Sequence, residues 1–161
     1  LDAEGAPLHG VCSRNLDLKF DENNSFWEAA VKYDLINKIF STGRNLAIQG
    51  ELVGEGIQGN SYKLIGRQFF CFDIWDIDNQ KYLLPKEMFD LCAQLDIQTV
   101  PEITRSKTIQ GISVAELLKN ADGKSVIGGK PNREGDVYKS NTVHDVSFKV
   151  ISDSWLIKNG E

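Results

Sequence analysis

A chain of 161 residues, 41% apolar and 25% charged, is long enough for one compact domain with a real core and too short for two ordinary ones. No run of about 18 apolar residues occurs, so no membrane-spanning helix is expected, and the acidic start Leu1-Asp2-Ala3-Glu4-Gly5 is unlike a signal peptide. A net charge of −5 disfavours a protein that coats nucleic acid non-specifically, since that requires a strong basic field. A local basic strip remains compatible with it: Lys124, Lys130, Arg133, Lys139 and Lys149 gather in the C-terminal third.

In chain order, Val11 to Ser13 reads as a short strand leaving a turn at Gly10. Phe26, Ala29, Ala30, Tyr33, Ile36, Ile39 and Phe40 recur at helical spacing, which predicts one helix from Phe26 to Phe40. Ser25 with Glu28 predicts its capping box, and Gly43 its stop. Leu46 to Val53 alternates as a strand and runs into the glycine-rich stretch Gly54 to Asn60, read as a hairpin loop. Phe69 to Ile77 predicts a second strand, apolar on both faces and therefore central. Strict alternation puts Phe70, Phe72, Ile74 and Asp76 on one face and Phe69, Cys71, Asp73, Trp75 and Ile77 on the other. Asp78-Asn79 turns the chain into a further strand, Lys81 to Leu84. Pro85 opens a helix to about Leu95. A capping box, Ser113 with Glu116, opens another from Val114 to Ala121. Asp136 to Ser140 and Val146 to Ile151 read as two late strands. The order implies an α+β fold in a single domain spanning 1–161.

Cys12, Cys71 and Cys92 are odd in number and widely spaced. Cys12 and Cys71 fall in predicted strands, as small buried hydrophobes rather than a disulfide framework, which points to a reducing, cytoplasmic setting. His9 and His144 have no partner at ligand spacing, which disfavours structural zinc. Arg14, Glu51, Glu134 and Lys149 are charged residues embedded in or abutting apolar strands. Each taken singly reads as an outward-facing residue or a structural ion pair. Gly50 before Glu51 and Gly135 after Glu134 allow backbone to approach a ligand closely. The glycine-rich loop lacks the Gly-Lys-Ser/Thr ending of a phosphate loop, and the aromatic run Phe69-Phe70-Cys71-Phe72 reads as core.

Taken in order, five stretches resemble the nucleotidyltransferase domain of ATP-dependent RNA ligases, and most closely the bacterial branch that joins nicked RNA ends. They are Val11 to Asn15, Gln49 to Gly54 with Gly56 to Asn60, Phe70 to Ile74, Arg133 to Ser140 and Ser147 to Ser152. The resemblance implies two antiparallel sheets with flanking helices around a nucleotide cleft. It implies that Arg14 contacts the adenylate, Glu51 holds the ribose hydroxyls and Phe72 stacks on adenine. Glu134 would help bind a divalent metal, Mg²⁺, and Lys149 would neutralise the α-phosphate as the catalytic cation. The implied ligands are ATP or AMP and RNA ends bearing a 3′-hydroxyl and a 5′-phosphate.

Family members carry a nucleophilic lysine in a Lys-x-Asp-Gly motif. The sequence begins Leu1-Asp2-Ala3, with Ala3 at the glycine position, so no lysyl-adenylate is expected from these residues alone. The last motif also departs from the Lys-x-Lys of many relatives, because Lys149 is followed by Val150 and Ile151. Asp136 stands where an apolar strand residue is expected, either exposed or beside the metal site. A non-catalytic nucleotide- or RNA-binding domain derived from a ligase is the alternative reading.

Overall fold

The computed structural model of the chain describes residues 8–105, 107–129 and 131–159. The readings made for Leu1 to Ala3 and for Lys130 lie outside the described residues. Strand β1 (Val11–Cys12) pairs antiparallel with β2 (Asp17–Leu18), and the turn between them carries Arg14. Cys12 on this ribbon is exposed, contrary to the buried role expected of it. Two strands in a ribbon leave one face open, and only Cys71 and Cys92 are buried.

The single helix expected from Phe26 to Phe40 is two, α1 (Ser25–Lys32) and α2 (Leu35–Phe40). They are separated at Asp34, whose φ of 53° is left-handed. The break re-aims the chain so that Trp27, Ala29 and Ala30 of α1 and Leu35 of α2 are all buried. Tyr33 at the break donates its hydroxyl to the Arg67 carbonyl at 3.1 Å. The cap is also displaced by one residue. Asn24 Oδ1 accepts from Phe26 N at 2.9 Å and Trp27 N at 3.3 Å, satisfying two orphan donors of the first turn. Glu28, free of capping duty, forms an ion pair with Arg67.

Strands β3 (Leu46–Gly54), β4 (Arg67–Asp76) and β5 (Lys81–Tyr82) form an antiparallel sheet with β4 in the centre, as its two apolar faces require. The pairing Gln49 to Asp73 is followed by Gly50 to Cys71, so Phe72 has no partner and forms a bulge. Up to Cys71 the alternation follows the sequence expectation; beyond Phe72 it is reversed. Ile74 and Asp76 therefore join Phe69 and Cys71 on one face, opposite Ile48, Leu46, Leu52 and Gly50 in turn. Asp73 and Trp75 move to the other face with Gln49, Glu51 and Phe70.

The first face carries the core. Leu35, Leu46, Cys71, Ile74, Leu83, Met88, Cys92 and Ile97 form one cluster with α3 (Pro85–Gln94) packed on the sheet. Ile74 is wholly buried, a burial that contributes about 1.5–3 kcal/mol. Gly50 is required on this face because a Cβ there would lie 2.2 Å from the Phe69 ring.

Helix α4 (Val114–Ala121) opens on the expected capping box. Ser113 Oγ accepts from Glu116 N at 3.3 Å, and the Glu116 carboxylate accepts from Ser113 N at 2.9 Å. Strands β6 (Gly135–Lys139) and β7 (Ser147–Ile151) form a third antiparallel pair. A last helix, α5 (Asp153–Asn159), was not anticipated from the sequence. Its start is fixed by Asp122, whose carboxylate accepts from Ser152 Oγ at 2.5 Å and Ser154 N at 3.2 Å. The architecture is α+β, with small antiparallel sheets and flanking helices.

Candidate active site

The second face of the β3–β4–β5 sheet is where the charged residues collect. Glu51, central on β3 and opposite Phe70, projects to this face beside Gln49 and Asp73. Its carboxyl is pushed above the ordinary range, first by loss of water around it and then by the neighbouring Glu134 carboxylate; Lys149 and Arg14 oppose the shift. Three charges from two other pairs of strands, Arg14, Glu134 and Lys149, therefore act on Glu51 here. Arg14 comes from the β1–β2 turn, Glu51 from β3, Glu134 from the residue preceding β6, and Lys149 from β7. Lys149 and Glu134 form a direct ion pair.

Gly135 lets β6 and β7 close at this point. A Cβ at that position would lie 2.0 Å from the Val150 carbonyl oxygen, so any side chain would part the strands. Ser152 N donates to the Glu134 carbonyl at 2.8 Å and fixes the backbone of the acidic residue. On β4 the bulge sets Phe72 beside this face, two residues from the partner of Glu51. Lys139 of β6 donates to the Phe72 carbonyl at 2.5 Å and to Asp73 Oδ2 at 2.7 Å, with its ammonium 5.8 Å from the Phe72 ring centroid. One lysine thus ties the third sheet to the bulge of the second.

The described members of the basic strip expected in the C-terminal third, Lys124, Arg133, Lys139 and Lys149, are engaged within the fold. Lys124 donates to Asn132 Oδ1 at 2.9 Å. Arg133 holds the carbonyls of Asn120, Ala121 and Asp122 at the end of α4, where a cation also complements the helix dipole. Arg133 also approaches Asp136 at 3.4 Å. Asp136 is therefore an ion-pair partner on a half-buried strand. A carboxylate three residues beyond Arg133 and a helix end within its reach take up charge that sequence position alone had left free.

No cluster of three or more His, Cys, Asp or Glu able to cage a metal occurs among the described residues. Glu134 and Glu51 nevertheless supply hard oxygen donors of the kind that hold Mg²⁺ or Mn²⁺ when one or two carboxylates share the ion with substrate phosphates. The donor set fits a divalent ion of that type.

A sequence profile of the RNA ligase family matches residues 3–151. The chain belongs to the RNA ligase family. Solved structures of Naegleria gruberi RNA ligase share its fold. The form with pyrophosphate has a TM-score of 0.87 at 38% identity, over 94% of this chain and 45% of that one. A variant with ATP and manganese has a TM-score of 0.88 at 38% identity, over 94% and 46%. A variant with AMP and manganese has 0.86 at 39% identity, over 92% and 45%. The chain thus spans less than half the length of these ligases. A search of curated protein sequences returned no match.

Two features of this ligase-family site escaped the sequence reading. The tie from Lys139 to Asp73 depends on the bulge, which no alternation pattern reveals. Tyr62, in the loop after the glycine-rich stretch, has its phenol pushed above the ordinary range, first by burial and then by the Glu134 and Glu51 carboxylates. Its signal was its place among glycine-flanked polar residues. No helix among the described residues is long and apolar enough to cross a membrane.

Proposed function

We propose that this domain binds ATP with a divalent metal, Mg²⁺ in the cell, and serves the adenylation chemistry of an RNA ligase that seals nicked RNA. Glu51 receives the ribose hydroxyls, Phe72 stacks on adenine, and Arg14 contacts the adenylate. Glu134 would help hold the metal, and Lys149 offsets negative charge developing on the α-phosphate. The coupling of Arg14, Glu51, Glu134 and Lys149 at one sheet face is the observation that carries this reading. The solved relatives bearing ATP or AMP with manganese support it.

In the first step a lysine amine forms a bond to the α-phosphorus of ATP, pyrophosphate leaves, and the amine loses a proton. AMP then passes to an RNA 5′-phosphate, and a 3′-hydroxyl displaces it to form the phosphodiester. No Lys-x-Asp-Gly motif occurs within the 161 residues, so the reading assigns to them the binding and charge-stabilising roles and leaves the nucleophile to such a lysine. Lys149 forms an ion pair with Glu134; a divalent ion held by that carboxylate would leave the Lys149 ammonium to offset phosphate charge.

Calorimetric titration with ATP and Mg²⁺, on this chain and on Glu51→Ala, tests the reading. Intact mass of each sample reports any covalent AMP. Binding that Glu51→Ala abolishes, without an adduct, is the expected result. Absence of binding by the parent chain would refute a nucleotide site, and an AMP adduct would refute the division of labour.

A further inference from the structure

The connection from β3 to β4, residues 55–66, is held at its base, its middle and its tip. At the base Glu55 N donates to Gly66 O at 3.1 Å, and Arg67 Nε donates to Glu55 O at 3.0 Å. In the middle Asn60 Oδ1 accepts from Leu64 N at 3.0 Å, and its Nδ2 donates to Leu64 O at 2.9 Å. At the tip Gly128 packs on the backbone, since a Cβ there would lie 2.3 Å from the Tyr62 carbonyl oxygen. Gln58, Asn60 and Lys63 have φ values of 43°, 50° and 54°. That left-handed conformation costs residues with a side chain free energy and persists where the surroundings over-determine it, a condition met most often at functional sites.

The backbone so held sorts its side chains. Tyr62 and Leu64 are half-buried, while Ser61, Lys63 and Ile65 are exposed and form a ridge. Ile65 is 91% exposed, more than any other exposed large apolar side chain among the described residues. The Lys63 ammonium has no ion pair or hydrogen bond among them, whereas Lys139 and Lys149 are both paired. Chain continuity sets where the ridge stands. It follows β3, which carries Glu51, and it touches Gly128, in the segment that leads to Glu134. The ridge therefore lies where the two carboxylate-bearing segments meet.

An interface with another protein is built round a buried apolar core, which one isoleucine among polar neighbours does not supply. A nucleic-acid strand asks less: a cation for a phosphate and an apolar surface for a sugar or base. A backbone fixed before binding also lowers the ordering cost of such contacts. We propose that the ridge of residues 61–65 docks the RNA strand, with Lys63 on a backbone phosphate and Ile65 against the adjoining sugar or base. This rests on the RNA ligase reading above and adds to it the place where the RNA bears.

The test is fluorescence anisotropy of a labelled nicked RNA duplex with the chain, Lys63→Gln and Ile65→Ser over a series of KCl concentrations. Calorimetry with ATP and Mg²⁺ is run on the same three samples. Both side chains are exposed, so the melting temperatures should match the parent. Lys63→Gln should weaken RNA binding about 2- to 5-fold, the range of one exposed ion pair. It should also flatten the slope of log affinity against log salt by about 0.7 to 0.9, the loss of one phosphate contact. Ile65→Ser should weaken RNA binding about 3- to 10-fold and leave the slope unchanged. ATP affinity should be the parent's in both variants. RNA affinity and slope equal to the parent's in both variants overturn the proposal and leave the ridge to a protein partner. Loss of ATP binding in step with RNA binding overturns a separate docking point. A parent that binds ATP and no RNA overturns the ridge and leaves the nucleotide site standing. The expected RNA losses in a chain that binds no ATP sustain the ridge and refute the nucleotide reading.

Discussion

Replacing Lys139 by Met tests whether the third sheet is clamped onto the second. The substitution keeps most of the aliphatic stem and removes the ammonium that donates to Asp73 Oδ2 at 2.7 Å and to the Phe72 carbonyl at 2.5 Å. The two side chains are only 25% and 22% exposed, so neither lost partner is fully replaced by water. A hydrogen bond to a charged group contributes about 1.5–3 kcal/mol, and a stranded carboxylate adds a desolvation cost. Full burial of such a pair would raise the loss to about 3–5 kcal/mol; partial exposure here brings the expectation to about 2–3 kcal/mol. For a domain of this size each kcal/mol moves the melting temperature by about 2–4 °C, so a fall of roughly 4–12 °C is expected. Urea unfolding of Lys139→Met, Asp73→Asn and the double variant isolates the pair. A coupling of about 1–2 kcal/mol is expected for groups in direct contact. A loss below about 0.5 kcal/mol for Lys139→Met, the range of an ordinary surface substitution, or strict additivity in the double variant, would refute the clamp.

Gly135→Ala forces a Cβ against the Val150 carbonyl, and should cost about 1–3 kcal/mol through backbone shift; urea unfolding equal to the parent would contradict this. Glu51, whose carboxyl is raised in the folded chain, binds its proton more tightly there than when unfolded. Its contribution is therefore most favourable below its ordinary value of 4.5 and declines as pH rises through the folded value. Glu51→Gln should melt higher than the parent at neutral pH, with the gap closing in acid, and a variant less stable at neutral pH would refute the placement. Asp76 behaves oppositely, held down to about 2 first by the Arg44 guanidinium and then by Asn79. Its contribution is present above the ordinary value of 3.8 and is lost as pH falls toward 2. Asp76→Asn should therefore melt lower near neutrality and converge with the parent in acid.

Much of the fold was legible because periodicity and caps are local. The β3 and β4 strands, the capping box of α4, the proline start of α3 and the β6–β7 pair depend on neighbours a few residues away. The break at Asp34 and the bulge at Phe72 do not. Both are settled by what the flanking residues must reach, Leu35 in the core in one case and Ile74 in the other. The charged residues singled out from their strand contexts, Arg14, Glu51, Glu134 and Lys149, are brought together by long-range pairing. Their individual contexts suggested at most an ion pair, and it was the order of five motifs that tied them to a nucleotide. Tyr62 was missed for the same physical reason. Its backbone position is fixed by Gly128, far along the chain, and by left-handed turns at Gln58, Asn60 and Lys63.

The central claim is that one nucleotide sits on the second face of the β3–β4–β5 sheet, under β6 and β7. Backbone amide shifts of the isotopically labelled chain, followed by NMR during titration with AMP and Mg²⁺, test it most directly. The account predicts that the largest shifts fall together on Arg14, Gly50 to Leu52, Tyr62, Phe72, Asp73, Gly135 and Lys149. Shifts confined to the core side, on α3 and its neighbours Leu83 and Ile97, or scattered without focus, would contradict it.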